Sequence, residues 1–313
     1  MTKKLLGNTL LVLVPALICI LVSEVALRFV MGDELRIIDD ERVLMYAHHD
    51  SLGWFPIPNS EGTYKVEKEI SIRHNSRGFR GGEHIPGEKR RMMVIGDSFV
   101  WGFDVEEEDR FTNKMDENLQ DWDVFNLGIS GYGTDQELMI LEKNYDYYDP
   151  ELVFLLYCTA NDKLDNMQNL RYKHFYKPYY TLNESGELEL QGVPVPKGPR
   201  YYLGKEGILF KSYIARLALK SYYNLKYPQK LAESDPTFEL IKRIRDYTEE
   251  RGSIFVMGLQ KGYPELESFL EAEGIEYVNV ENEFVLGLHW TDEGHTYVAN
   301  EIEDHLKKMD VFK

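Results

Sequence analysis

From residue 91 the chain alternates short, continuous apolar runs with stretches of helical period, and few folds accept that pattern. Runs at 91–96 (RMMVIG), 123–127 (DVFNL), 152–158 (LVFLLYC), 253–257 (SIFVM) and 276–280 (EYVNV) read as strands buried on both faces. Helical signals fall between them. Phe111, Met115 and Leu119 recur at helical spacing, and Thr134 with Glu137 forms a capping box opening a helix to about Tyr145. Asp235 and Pro236 start a helix with Phe238, Ile241 and Ile244 on one face. Pro264 starts a shorter one with Leu266, Phe269 and Leu270 inward, which Gly274 ends. A last helix follows Thr291, with Val298, Ile302 and Leu306 inward. The expected fold is α/β: a doubly wound, five-stranded parallel sheet in a flavodoxin-like three-layer sandwich.

The amino terminus obeys a different rule. Lys3 and Lys4 precede an apolar run over 5–22, and apolar residues continue to Val30 around Glu24 and Arg28. That is long enough to span a bilayer, which takes about 20 residues. Lysines before it and Asp33, Glu34, Asp39 and Asp40 after it place the cytoplasm on the amino-terminal side. The rest of the chain is then extracytoplasmic. A cleaved signal peptide is the alternative, but no small-x-small site ends the run cleanly. The expected organisation is an anchor over 1–30, an irregular, strand-rich lead-in over 31–90, and the α/β domain over 91–313 with an insertion at about 163–235.

The insertion carries unusual chemistry. Fourteen of the 21 tyrosines lie between Tyr145 and Tyr227. Within 163–235, 12 Lys or Arg face 7 Asp or Glu, so a +5 segment sits in a chain of net charge -17 and leaves -22 elsewhere. The acidity disfavours nucleic-acid binding, since phosphate neutralisation needs a basic face. A basic, aromatic segment suits acidic or sugar substrates as a lid, and Tyr with Lys also suits a membrane surface. The competing use is plain packing of the tyrosines onto the sheet. Residues 177–180 and 187–190 read as a hairpin, and 211–223 as a helix with Tyr213, Leu217 and Lys220 along one face. The two cysteines, Cys19 and Cys158, provide neither a disulfide scaffold nor a zinc site of paired thiolates. No cofactor is expected.

Four polar or glycine features fall at the carboxyl ends of strands or just before the last helix. They are Gly96-Asp97-Ser98-Phe99, the stretch 126–133 (NLGISGYG), Thr159-Ala160-Asn161-Asp162, and Gly287-Leu288-His289-Trp290. In their order of serine, glycine, asparagine and histidine, these residues resemble the SGNH (GDSL-type) hydrolase superfamily. The segments 75–80 (NSRGFR) and 132–137 (YGTDQE) further resemble its membrane-anchored bacterial members. The resemblance covers roughly residues 91–308 apart from the insertion. It implies Ser98 as nucleophile, His289 as general base, and an oxyanion hole of the Ser98 N–H, the Gly131 N–H and the Asn161 side-chain amide.

Two departures qualify it. Thr159 and Ala160 stand where the family usually has glycine before the asparagine. The family's aspartate three residues before the histidine is replaced by Leu286, so the carboxylate that orients the imidazole is missing from its place. Glu281, Glu283, Asp292 or a backbone carbonyl are the candidates to replace it. Asp292 and His295 also have Asp-x-x-His spacing, but they fall in the first turn of the helix capped by Thr291. The expected activity is hydrolysis of an ester outside the membrane, with an O-acyl group on a cell-surface glycan as the substrate. The alternatives are O-acyl transfer from the same serine and a catalytically degenerate glycan-binding protein.

Overall fold

The computed structural model describes residues 2–35, 45–172, 175–198 and 211–312. They divide into two units. One holds 2–35 with 197–198 and 211–229; the other holds 45–172, 175–196 and 230–312.

In the first unit, the amino-terminal helix Thr2–Val30 contains the apolar stretch Asn8–Val30, 23 residues whose most apolar 18-residue window has mean hydropathy 2.7 with none of it buried. It is long and apolar enough to cross a membrane. Glu24, near its end, accepts hydrogen bonds from Ser212 Oγ (2.8 Å), Tyr213 N (2.8 Å) and Ile214 N (3.2 Å) and pairs with Arg28 at 3.0 Å. These amides open the helix Tyr213–Lys226, whose N-cap Ser212 also accepts from Ala215 N. A carboxylate at the end of an apolar helix is thus matched to the positive end of a second helix.

The second unit carries the sheet. Its elements in chain order are β1 (Arg90–Gly96), α1 (Ser98–Trp101), α2 (Phe111–Asn118), β2 (Trp122–Asn126), α3 (Thr134–Tyr148), β3 (Leu152–Tyr157), α4 (Asp162–Asn166), α5 (Thr237–Glu249), β4 (Ile254–Leu259), α6 (Pro264–Glu273), β5 (Tyr277–Asn279) and α7 (Asp292–Lys308). The strands lie in the order β5-β4-β3-β1-β2, every pair parallel. This is the expected five-stranded sheet. On one face Met92, Val94, Phe154 and Leu156 share a core with Phe111 and Met115 of α2 and Val298, Ile302 and Leu306 of α7. The other face is covered by α3 and α5, where Leu138, Leu141, Leu240, Ile241 and Ile244 are buried.

The capping box expected of Thr134 and Glu137 does not form. Gly133 is the N-cap, and among the described residues neither Thr134 Oγ1 nor the Glu137 carboxylate bonds to a protein group. Asn166 Oδ1 of α4 accepts from Asp135 N (3.2 Å) in that place, while Glu137 turns into the interior. The helix runs to Tyr148, and Asp149 (φ 42°) ends it.

Before the sheet come two antiparallel hairpins, Tyr46–His49 with Gly53–Pro56 and Glu61–Lys65 with Glu69–Arg73. After β3, Tyr179–Leu182 pairs with Leu188–Gln191. Tyr176, Tyr179 and Tyr180 around this hairpin are buried, so these tyrosines pack the segment into its own unit. Cys19 and Cys158 are both free.

Candidate active site

The site begins where β1 turns into α1. Gly96 is required there: a Cβ would lie 2.3 Å from Val100 Cγ2 and 3.1 Å from the Leu156 carbonyl. Asp97 caps the helix, its Oδ1 accepting from Phe99 N (2.9 Å), and its other oxygen lies 3.4 Å from Ser98 Oγ. Ser98 is thereby left half-buried on a one-turn helix, with Oγ 2.9 Å from His289 Nε2.

His289 is held by a two-strand hairpin, Val285–Leu286 with His289–Trp290. Gly287, at φ 61°, takes the first central position of its two-residue turn, where the positive φ favours glycine. Trp290 is buried against Phe99 (ring centroids 4.6 Å apart), and Phe103 stacks on the imidazole at 4.5 Å. Burial pushes the His289 pKa down to about 4, against the pull of Asp104. The imidazole is therefore neutral at pH 7, and with its proton on Nδ1 it presents Nε2 as an acceptor to Ser98.

Gly131 and Asn161 follow the carboxyl ends of β2 and β3, the two strands that flank β1. Backbone bonds from Leu127 N to the Val94 carbonyl (2.8 Å) and from Ile129 N to the Gly96 carbonyl (3.0 Å) lay the loop after β2 along β1. Gly128 lets it nest on α1, since a Cβ there would meet Trp101 N at 2.5 Å. Asn126, the last residue of β2, donates to the Val100 carbonyl (2.6 Å) and Thr112 Oγ1 (2.8 Å). Gly131 has φ 81°. Among the described residues neither its N–H nor that of Ser98 is taken by another protein group. Asn161 is the N-cap of α4 and donates one amide proton to Asp165 Oδ2 at 2.8 Å, leaving the second.

The carboxylate beside His289 is none of those expected. Asp292 pairs with Lys114 at 2.6 Å, and Glu281 with Lys261 at 3.4 Å. Among the described residues, neither these nor Glu283 reaches the imidazole; Asp104 does, with Oδ2 4.0 Å from Nδ1. Leu286, three residues before His289 in the chain, is paired with it across the hairpin and is apolar. The second Asp-x-x-His register is structural. His295 is buried and its Nδ1 accepts from Phe111 N (3.2 Å), stacked on the Phe111 ring.

Beneath the site lies a buried acidic cluster with no sequence signal beyond scattered acids. Asp97, Asp135, Glu137, Asp162 and Asp165 are all buried; Lys177 bonds Asp135, and Arg171 bonds Asp165 at 2.6 Å. Burial pushes Asp97 up to about 6 and raises Glu137 and Asp162 well above the carboxylate range. Among the described residues no group of three or more His, Cys, Asp or Glu is arranged to hold a metal ion.

No family model and no curated protein matches the chain by sequence. Among solved structures it is similar to a member of the lipolytic G-D-S-L family from Veillonella parvula DSM 2008, at 12% identity and TM-score 0.41 over 69% of this chain and 97% of that one. The psychrotrophic esterase EstA from Pseudoalteromonas sp. is similar at 12% identity and TM-score 0.42, over 71% of this chain and 98% of that one. The family 3 carbohydrate esterase of Clostridium thermocellum is similar at 12% identity and TM-score 0.40, over 72% and 98%.

Proposed function

We propose that this chain is a serine esterase of the SGNH type. The observation that carries the reading is Ser98 Oγ at 2.9 Å from Nε2 of a largely buried, neutral imidazole. In this reading Ser98 attacks the ester carbonyl while His289 takes the hydroxyl proton. His289 then returns that proton to the leaving alcohol, and water releases the acyl group by the same path. The free N–H groups of Ser98 and Gly131 and the second Asn161 amide proton are the donors for the oxyanion, each worth about 3–4 kcal/mol in such a site.

The chain is organised in this proposal as an anchor over 1–30, a lead-in over 31–90 and a catalytic domain over 91–313, interrupted by the insertion. The catalytic domain faces the extracytoplasmic side, supported by Lys3 and Lys4 before the apolar helix and the acidic residues after it. The substrate is an O-acyl ester on a cell-surface glycan. Two features support this choice. One is the membrane-bound location. The other is Tyr172, 41% exposed with Arg171 over its ring at 4.4 Å, on a segment tied through Arg171 and Asp165 to Asn161.

The test uses the full chain in detergent. Hydrolysis of p-nitrophenyl acetate and acetate release from an O-acetylated polysaccharide are measured for the parent, Ser98→Ala and His289→Ala. Both activities are expected to vanish in the variants. Ester turnover without acetate release from the polysaccharide would remove the glycan assignment and leave the esterase.

A further inference from the structure

A histidine that accepts a proton at Nε2 must hold its own proton on Nδ1, and a carboxylate facing Nδ1 fixes that tautomer and stabilises the imidazolium that forms. The residue at the family's acid position, Leu286, cannot do this. Asp104 faces that nitrogen. Its side chain is 3% exposed, and its Oδ2, 4.0 Å from His289 Nδ1, makes no hydrogen bond to a protein group among the described residues. Its other oxygen is anchored: Oδ1 accepts from the backbone N–H of Glu67 (3.2 Å) and Lys68 (3.5 Å), in the turn of the second lead-in hairpin. One oxygen is thus spent on the scaffold and one faces the imidazole.

The local backbone explains how a residue so close to the nucleophile gets there. Gly102 ends α1 after one turn at φ 85°, and Asp104 itself sits at φ 62°, a left-handed conformation that Asp tolerates better than most residues. Phe103 between them lies on the imidazole face. The turn is pinned by Arg80, a buried guanidinium from the lead-in. It donates to the carbonyls of Trp101 (3.2 Å), Gly102, Val105 (2.7 Å) and Ser71 (3.1 Å). Arg110 in turn donates to the Arg80 carbonyl at 2.8 Å.

We propose that Asp104 is the positioning carboxylate of this site, delivered on the nucleophile's own turn and held by the lead-in hairpin and Arg80. The proposal rests on the Ser98–His289 reading above. It also gives the lead-in a role, because Glu67, Lys68 and Arg80 supply the bonds that tie the Asp104 turn to it. The proton moves only between Ser98 Oγ, His289 Nε2 and the leaving alcohol, and the Asp104 carboxylate faces the charge that forms on the ring.

The test is kcat, KM and the pH profile of p-nitrophenyl acetate hydrolysis by the full chain in detergent. Asp104→Asn keeps the shape but offers an amide where an acceptor is needed. It is expected to lose about 10² to 10⁴-fold in kcat with KM little changed. The acid limb of kcat/KM should move to lower pH, since Asp104 is the charge that raises the imidazole pKa; Asp97 beside Ser98, His295 behind the ring and Glu67 beside Gly287 stay in place in the variant. A purely structural role would not move that limb. Adding Leu286→Asp to Asp104→Asn should restore part of kcat, because residues paired across a hairpin stand side by side. Asp104→Glu, which keeps the charge, should retain more activity than Asp104→Asn whatever their stabilities. Parent-like kcat and pH profile in Asp104→Asn, with Ser98→Ala and His289→Ala inactive, overturns the proposal and leaves the esterase reading standing. Activity retained in Ser98→Ala overturns both.

Discussion

His289 and His295 show how far residue identity alone leads. Both follow in one short segment, yet one faces Ser98 and the other supports the Phe111 amide. The low pKa of His289 makes a signed prediction. In the proposed mechanism its imidazole is the working base only when neutral, so kcat/KM should stay flat from neutral pH down to about 5 and fall through about 4. A limb near 6.5 in the pH–rate profile would contradict the burial of this ring. His295→Ala should instead lower stability by about 1–3 kcal/mol, the cost of stranding a buried N–H, while the folded fraction keeps ester turnover. Thermal melting paired with turnover separates the two histidines. Ser98, Gly131, Asn161 and His289 of the proposed site were legible as candidates because each carries a motif at a strand end or before a helix. Asp104 was not: it has no fixed spacing to His289 along the chain, and its partner is met only after the turn at Gly102 folds back.

At the scale of elements, the sheet was legible because strands covered on both faces, such as Leu152–Tyr157, leave continuous apolar runs. The lead-in hairpins leave weaker traces. Glu61–Lys65 has no buried residue, and only Glu69–Arg73 alternates. The capping box misled because Thr134 and Glu137 have the right spacing but Glu137 is drawn into the acidic cluster beside α4. The contact between the loop after β2 and α1 also left little trace, since Gly128 looks like any loop glycine. Gly128→Ala should destabilise by about 1–3 kcal/mol and depress turnover, because the clashing atom is the Trp101 backbone nitrogen and cannot swing aside. Calorimetry together with ester turnover checks this; an unchanged melting temperature would show that the loop gives way.

For the whole molecule, pH acts on stability from two directions. His74, His84 and His289, each pushed down to about 4 by burial, and His295, pushed down to about 3, contribute stability present above about pH 6.5 and lost as pH falls toward those values. The buried carboxyls act oppositely. Burial raises Glu137, so its contribution is complete below about pH 4.5 and is lost as pH rises and the charge is forced into the interior. The clean observable is a difference: Glu137→Gln should gain in melting temperature over the parent as pH rises from about 4 to 8. A gap that does not widen would contradict a buried, uncompensated carboxyl. The central claim concerns Ser98, and intact-mass measurement of the full chain after reaction with a fluorophosphonate tests it most directly. One adduct on Ser98 is predicted, absent in Ser98→Ala, strongly slowed in His289→Ala and retained in His295→Ala. Folded protein that takes no adduct, or reacts equally fast without His289, would contradict the account.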